Sequence, residues 1–272
     1  MQDRPPEILR SLFLEPVSRI VRHRHLLAAW VRQELRDRYY ETRLGPIWLV
    51  VQPLLMTLVF TIAFTVIGRI RSENIPYPLF FLVGYIPWNF FSYCASRSSV
   101  VITANRTVIT HHSFPRELLV LAIVLSAIPD LLVGVGFVVV LVSFYPLALS
   151  SSAWMAPILV TVVVVLSLGA SLWISTVAAL VRDVRALLPS AIRALFYLSP
   201  IIYPASAVPE PYREAFLINP VAGLVTGCRD AMFHGALESP GAALLASFAA
   251  IFVLITGYIA FRLAEPRFAD LI

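Results

Sequence analysis

Lysine is absent from this chain: all 21 basic residues among its 272 are arginine. The phosphate-binding loop of common ATPases places a lysine on the β- and γ-phosphates. The chain therefore cannot be an ATPase of that kind, and any ATP-driven process it serves needs another subunit to hydrolyse the ATP. Charge is scarce too, at 14% against 59% hydrophobic residues, with a mean hydropathy of +0.82. A soluble domain carries roughly 25% charge, so the composition excludes an ordinary soluble protein and predicts an all-α polytopic membrane protein with one domain. Cysteine is limited to Cys94 and Cys228. The topology derived below sends them towards opposite sides of a membrane, so both read as small buried apolar residues rather than a disulfide. An early apolar run is also missing, because Met1 to Arg43 is broken by charges and by Pro5, Pro6 and Pro16. That does not fit a secretory signal. There is no G-x-S-x-G, H-E-x-x-H or C-x-x-C pattern, and no catalytic or metal site is expected. His23, His25, His111 and His112 lack neighbouring cysteines or a carboxylate cluster and read as solvated or interface residues.

What the chain does have is long charge-free runs. Leu44 to Gly68 carries no formal charge and follows nine arginines. About 20 apolar residues cross a bilayer core as a helix, and flanking basic residues stay in the cytoplasm. The first span thus starts inside and exits outward. A turn with Arg69, Arg71 and Glu73 leads to a second span, Asn74 to Ser96. From Leu118 to Val181 the only charge is Asp130, which leaves room for two spans, with Tyr145-Pro146 and Ser150-Ser151-Ser152 marking the turn between them. A fifth span runs from Leu187 to Tyr203 and contains Arg193, and a sixth from Ser239 to Phe261. With both termini inside, 17 of the 21 arginines are cytoplasmic, and only Arg69, Arg71, Arg213 and Arg229 lie outside. The positive-inside rule supports that topology. The expected organisation is a cytoplasmic segment over 1–25, an amphipathic interface helix over 26–43, a six-span domain over 44–262 and a cytoplasmic tail over 263–272.

Two connecting segments are informative. Between Leu26 and Thr42, Leu27, Val31, Leu35 and Tyr39 recur every four residues, with Arg32, Glu34, Arg36, Asp37 and Arg38 on other faces. This reads as a helix on the cytoplasmic membrane surface, and its charged face is also suited to docking a partner. In the outer segment from Pro204 to Glu238, Pro204, Pro209 and Pro211 exclude a regular helix at the start. Asn219 then reads as an N-cap with Pro220 at the first helical position. Val221, Leu224, Val225, Cys228 and Met232 follow at helical spacing. That helix, at about 20 Å, is too short to cross, so it is either re-entrant or an interfacial loop helix.

Four pieces resemble the permease subunit of type-2 ABC exporters of bacterial cell-surface polysaccharide. They are Arg36-Asp37-Arg38-Tyr39 with Leu44-Gly45-Pro46-Ile47-Trp48 and Gln52-Pro53; Gly84-Tyr85-Ile86-Pro87-Trp88-Asn89-Phe90-Phe91-Ser92; Phe114-Pro115-Arg116-Glu117; and Arg182-Asp183-Val184-Arg185 followed by Leu198-Ser199-Pro200-Ile201-Ile202-Tyr203-Pro204, Asn219-Pro220 and Arg229-Asp230. In this order they cover Leu26 to Phe261. The resemblance implies a homodimer in the bacterial cytoplasmic membrane, paired with two copies of a separate ATPase that binds ATP and Mg, and a lipid-linked glycan as cargo. Membrane lipids are the other expected contact, and no nucleic acid is expected.

The resemblance also implies a short coupling helix at about Ala104 to Phe114 that inserts into the ATPase, with Asn105, Arg106, His111 and His112 as candidate contacts. Glu34, Arg38, Arg182, Asp183 and Arg185 join them as candidate ATPase contacts, although Arg182, Asp183 and Arg185 suit headgroup anchoring equally. Sugar rings present C–H faces that pack on aromatic rings, which makes Phe60, Phe64, Phe196 and Tyr197 candidates for the translocation pathway. Tyr77, Trp88 and Trp154 fit an interfacial belt better. Arg193 either snorkels to the cytoplasmic surface or faces the entrance and binds a diphosphate. Asp130 lies deep if its span begins at Leu118 and near the cytoplasmic surface if the span begins later. The same architecture also suits export of a drug or simple lipid. A membrane enzyme acting on polyprenyl-linked sugars fits less well, because the acidic residues are few and scattered.

Overall fold

The computed structural model describes residues 15–40, 43, 45–67, 75–112, 114–237 and 239–268. The expected turn at Arg69, Arg71 and Glu73 lies outside the described residues, as do Leu44, Gly68, Glu238 and both chain ends. Every regular element described is helical. α1 (Glu15–Arg22) precedes α2 (Arg24–Leu35), which runs on into a π-helical turn at Arg36–Tyr40. A 3-10 turn at Gly45–Ile47 leads into α3 (Trp48–Thr61), continued by a second π-helical turn at Ile62–Ile67. Next come α4 (Tyr77–Ala104), the short α5 (Arg106–His111), α6 (Glu117–Phe144), α7 (Met155–Leu180) and α8 (Asp183–Tyr197). α9 (Glu210–Leu217), α10 (Pro220–Arg229) with a π-helical turn at Asp230–His234, and α11 (Pro240–Ala264) complete the order.

Among the described residues, four stretches are long and apolar enough to cross a membrane: Gly45–Thr65, Glu117–Phe144, Met155–Leu180 and Pro240–Arg267. The chain is an integral membrane protein. α4 is as long as α6, at 28 residues, but mixes Tyr, Trp, Asn and Ser with its apolar residues and falls outside that group. Its position accounts for this. α4 packs against α3, α6, α7, α8 and α10 and buries Leu79, Phe80, Phe81, Leu82 and Cys94 almost completely. A helix enclosed by protein presents little surface to lipid.

α8 departs further from expectation. Its helix ends at Tyr197 rather than Tyr203, because Pro200 disfavours helical backbone at Ser199 and the chain turns over Leu198–Ile202. With 15 residues, α8 is about 22 Å long. The segment expected on the outer side differs in the opposite sense. α9 forms despite its prolines, because Pro211 lies in the first turn, where a missing N–H leaves no helical bond unmade.

The bundle closes where α7 crosses α11. A Cβ built on Gly169 would lie 2.5 Å from the Leu254 nitrogen, and one on Gly257 would lie 2.6 Å from the Gly169 carbonyl oxygen. Membrane helices associate through small residues that let backbones touch, and here only glycine fits. At the other end of the packing, Asn219 caps α10 as its sequence expects, its Oδ1 accepting from the Val221 N–H at 3.0 Å. Val221, Leu224, Val225 and Cys228 are buried. Cys94 and Cys228 are both free and buried.

Candidate functional site

The charged end of the bundle gathers α5, the starts of α6 and α8, and the ends of α4, α7 and α11. The amphipathic helix docks here, but its apolar stripe is covered by protein. Leu27 packs with Leu118 and Ala122 of α6, and twelve residues on, Tyr39 donates its hydroxyl to Asp130. α2 and its π turn therefore run alongside the first turns of α6, in the same direction, over about 18 Å. Arg32, Arg36 and Asp37 stay exposed on the other side.

Two of the expected ATPase contacts turn instead to the chain's own charges. Glu34 accepts from Arg97 of α4 through Nε at 2.8 Å and Nη2 at 3.2 Å. The guanidinium of Arg97 also lies 3.7 Å from Asp37. Arg38 turns inward and pairs with Asp130 of α6, its guanidinium 3.8 Å from the Tyr93 ring centroid and 5.2 Å from that of Tyr39. Two opposite charges attract strongly only where water is scarce, so both side chains leave the exposed face. Burial, aided by the bond to Asp130, pushes the Tyr39 phenol upward, so it stays protonated as a donor. A small cavity of about 30 Å³ beside them is bordered by Gln52, Tyr85 and Asn89.

The exposed polar surface is supplied by α5 and by the start of α8. Ile109 is 3% exposed and anchors α5, whereas Arg106, His111 and His112 face outward. Asn105 is half-buried, and its side-chain amide donates to the Val101 carbonyl at 2.9 Å. Arg182 and Asp183 are exposed. Arg185 donates to Thr103 at 3.2 Å, two residues before Asn105, which ties the two turns into one surface. Behind them Glu117, buried at 5% exposure, sits 3.8 Å from Arg19 and 3.7 Å from Arg262. Arg262 in turn pairs with Glu265. α1, the start of α6 and the end of α11 are thus fastened together.

The aromatic candidates form a connected row. Phe60 stacks on Phe81 at 4.8 Å and lies 6.0 Å from both Phe64 and Phe196. Phe64 stacks on Tyr77 at 5.9 Å. Phe196 meets Trp88 at 5.7 Å and Tyr197 at 5.3 Å. Tyr77 and Trp88, expected in a belt, are each 4% exposed and belong to this row, whereas Trp154 is 66% exposed. Phe60, Phe64 and Phe196 are half-buried and Tyr197 is open. Arg193 is exposed on α8 between Ser190 and Tyr197, also exposed; spacings of three and four put all three on one helix face.

Sequence reasoning missed Arg229. Counted as an outer charge, it is 2% exposed. It donates to the carbonyls of Phe80 at 3.0 Å, Ile201 at 2.9 Å and Pro200, and its guanidinium lies 3.6 Å from the Phe80 ring centroid. At Pro200 and Ile201 it satisfies the carbonyls left where α8 has given way to a turn. The available signal was that turn itself, whose prolines leave carbonyls without helical donors.

Residues 25–233 match the family model described as ABC-2 type transporter. The chain is 28% identical to the O-antigen export system permease protein RfbA of Klebsiella pneumoniae, over 91% of this chain and 95% of that protein. It is 26% identical to the protein of the same name from Myxococcus xanthus, over 88% and 91%. It is also 26% identical to the polysialic acid transport protein KpsM of Escherichia coli, over 86% and 90%.

Proposed function

The chain belongs to the ABC-2 type transporter family, and from that premise we propose that it is the membrane subunit of an ATP-driven exporter of bacterial surface polysaccharide, with a lipid-linked glycan as cargo. The carrying observation is the likeness, over about 90% of the chain, to permeases and transport proteins named for O-antigen and polysialic acid. The absence of lysine supports placing ATP and Mg on a separate ATPase subunit. In this reading α4 and α8 cross with the four apolar stretches, giving six spans in the bacterial cytoplasmic membrane, both termini inside, and α9 and α10 at the outer face.

Two copies are needed to form a path. Only 6% of the first span's most apolar window is buried within one copy, and α8 buries no residue fully. A charged side chain facing lipid is costly, so the Ser190–Arg193–Tyr197 face turns to water or to the second copy. Phe60, Phe64, Phe196 and Tyr197 then line a sugar path that offers ring faces without a single tight site. Arg193 stands at its inner mouth, where a guanidinium suits a diphosphate. α5, with Asn105, Arg106, His111 and His112, is the lever that enters the ATPase, and Arg182, Asp183 and Arg185 extend that surface.

Deleting the gene and locating the glycan tests this reading. Loss from the surface with lipid-linked polymer accumulating inside is expected. Normal surface display overturns the glycan cargo in favour of a drug or simple lipid. Loss of the polymer without accumulation points to an enzyme acting on it.

A further inference from the structure

Asp130 is held from one element by two consecutive residues. Arg38 pairs with Oδ2 and Tyr39 donates to Oδ1, both from the π-helical turn Arg36–Tyr40. Both carboxylate oxygens are thus engaged by the amphipathic helix, while Asp130 itself lies in the middle of α6, beside Pro129. The side chains are mostly buried, at 19% exposure for Arg38 and 15% for Asp130, and Tyr93 closes over the guanidinium. Beyond Asp130, α6 carries no further charge to Phe144. An ionisable group within an apolar span is costly and is kept for a task. The apolar contact of Leu27 with Leu118 holds the near end of the same pair of helices. Two fastenings about 18 Å apart stop one helix from rotating on the other, which a single contact cannot do. Glu34 and Arg97 add a more exposed tie to α4.

We propose that the clasp of Arg38 and Tyr39 on Asp130 is a mechanical joint that makes the amphipathic helix and α6 move as one body, carrying motion from the ATPase side into the third span. The three are positioning residues: none touches cargo or nucleotide. The joint rests on the transporter reading above.

The test uses the full complex with its ATPase in lipid. Spin labels at Arg32→Cys and Leu132→Cys, both exposed, report the distance between the amphipathic helix and α6; the native cysteines are buried. With Asp130 intact, the distance is expected to be the same with and without ATP. With Asp130→Asn, it is expected to change on ATP binding, and export to fall about tenfold while the complex still assembles and hydrolyses ATP, as when one coupling energy is lost. Exchanging the pair, Arg38→Asp with Asp130→Arg, is expected to restore part of the export. A distance that shifts with ATP in the Asp130-intact complex overturns the joint, as does Asp130→Asn exporting at the normal rate. If Asp130→Asn fails to assemble, Arg38→Gln, which removes the ion pair, decides: unchanged export and unchanged distance overturn the proposal. A complex that exports no glycan sinks the transporter reading but leaves the distance measurement intact.

Discussion

At the α10 end, Arg229 donates to three main-chain carbonyls and lies on a phenyl face. At the α5 end, Arg38 meets one carboxylate on another helix and, among the described residues, keeps one nitrogen without a hydrogen-bond partner. The carbonyls belong to the covalent frame and cannot swing away. A carboxylate on a separate helix instead ties two elements to each other. The half around α10, with its capped turn, capped α10 and glycine crossing, is therefore built to be fixed. The end around α5 is held by ion pairs between elements and is built to transmit.

Breaking the fixed half is expected to cost folding first. Arg229→Met leaves the buried turn carbonyls of Pro200 and Ile201 without their donor, at about 1–3 kcal/mol each. The expected outcome is loss of monodisperse protein in detergent; a normal yield and melting temperature contradict the capping role. Gly169→Val drives a methyl into the Leu254 backbone, an overpacking cost of about 1–3 kcal/mol. It is expected to lower the melting temperature, whereas the same change at Gly136, which has open space around it, is expected to cost less. Asn219→Ala removes both the cap on Val221 and the bond to Ser199. About 1 kcal/mol is expected, with Asn219→Asp retaining most of the stability.

The end around α5 sharpens the contrast from the other side. Glu34→Gln weakens a pair whose arginine is 37% exposed, so less than about 1 kcal/mol of stability is expected to change. Its effect is expected in the ratio of ATP hydrolysed to glycan exported, measured on the reconstituted complex. A large fall in melting temperature with unaltered export assigns this tie to the fixed half after all.

Much of this was legible in the sequence because hydropathy and end signals are local. The apolar runs, the Asn219-Pro220 start and the exposed polar face of α5 each depend on residues close in the chain. The length of α8 and the burial of Trp88 were not legible, since both depend on which helix stands at the centre. Arg38 and Asp130 are separated by about 90 residues, and counting arginines by side treats each as if it faced water. One clue was present. Asp130 is the only charge from Leu118 to Val181, and a lone buried acid requires a cation. Tyr39 lies on the apolar stripe of the amphipathic helix, with Arg38 beside it. The joint could have been sought there, although its register could not have been set.

The glycine crossing of α7 and α11 also bears on how the protein is made. Gly257 leaves the ribosome about 90 residues after Gly169, a delay on the order of 10 s at common synthesis rates. Throughout that interval the furrow on α7 faces lipid or the insertion machinery, with no side chain at Gly169 to fill it. The nascent chain thus passes through a stage in which α7 waits for α11.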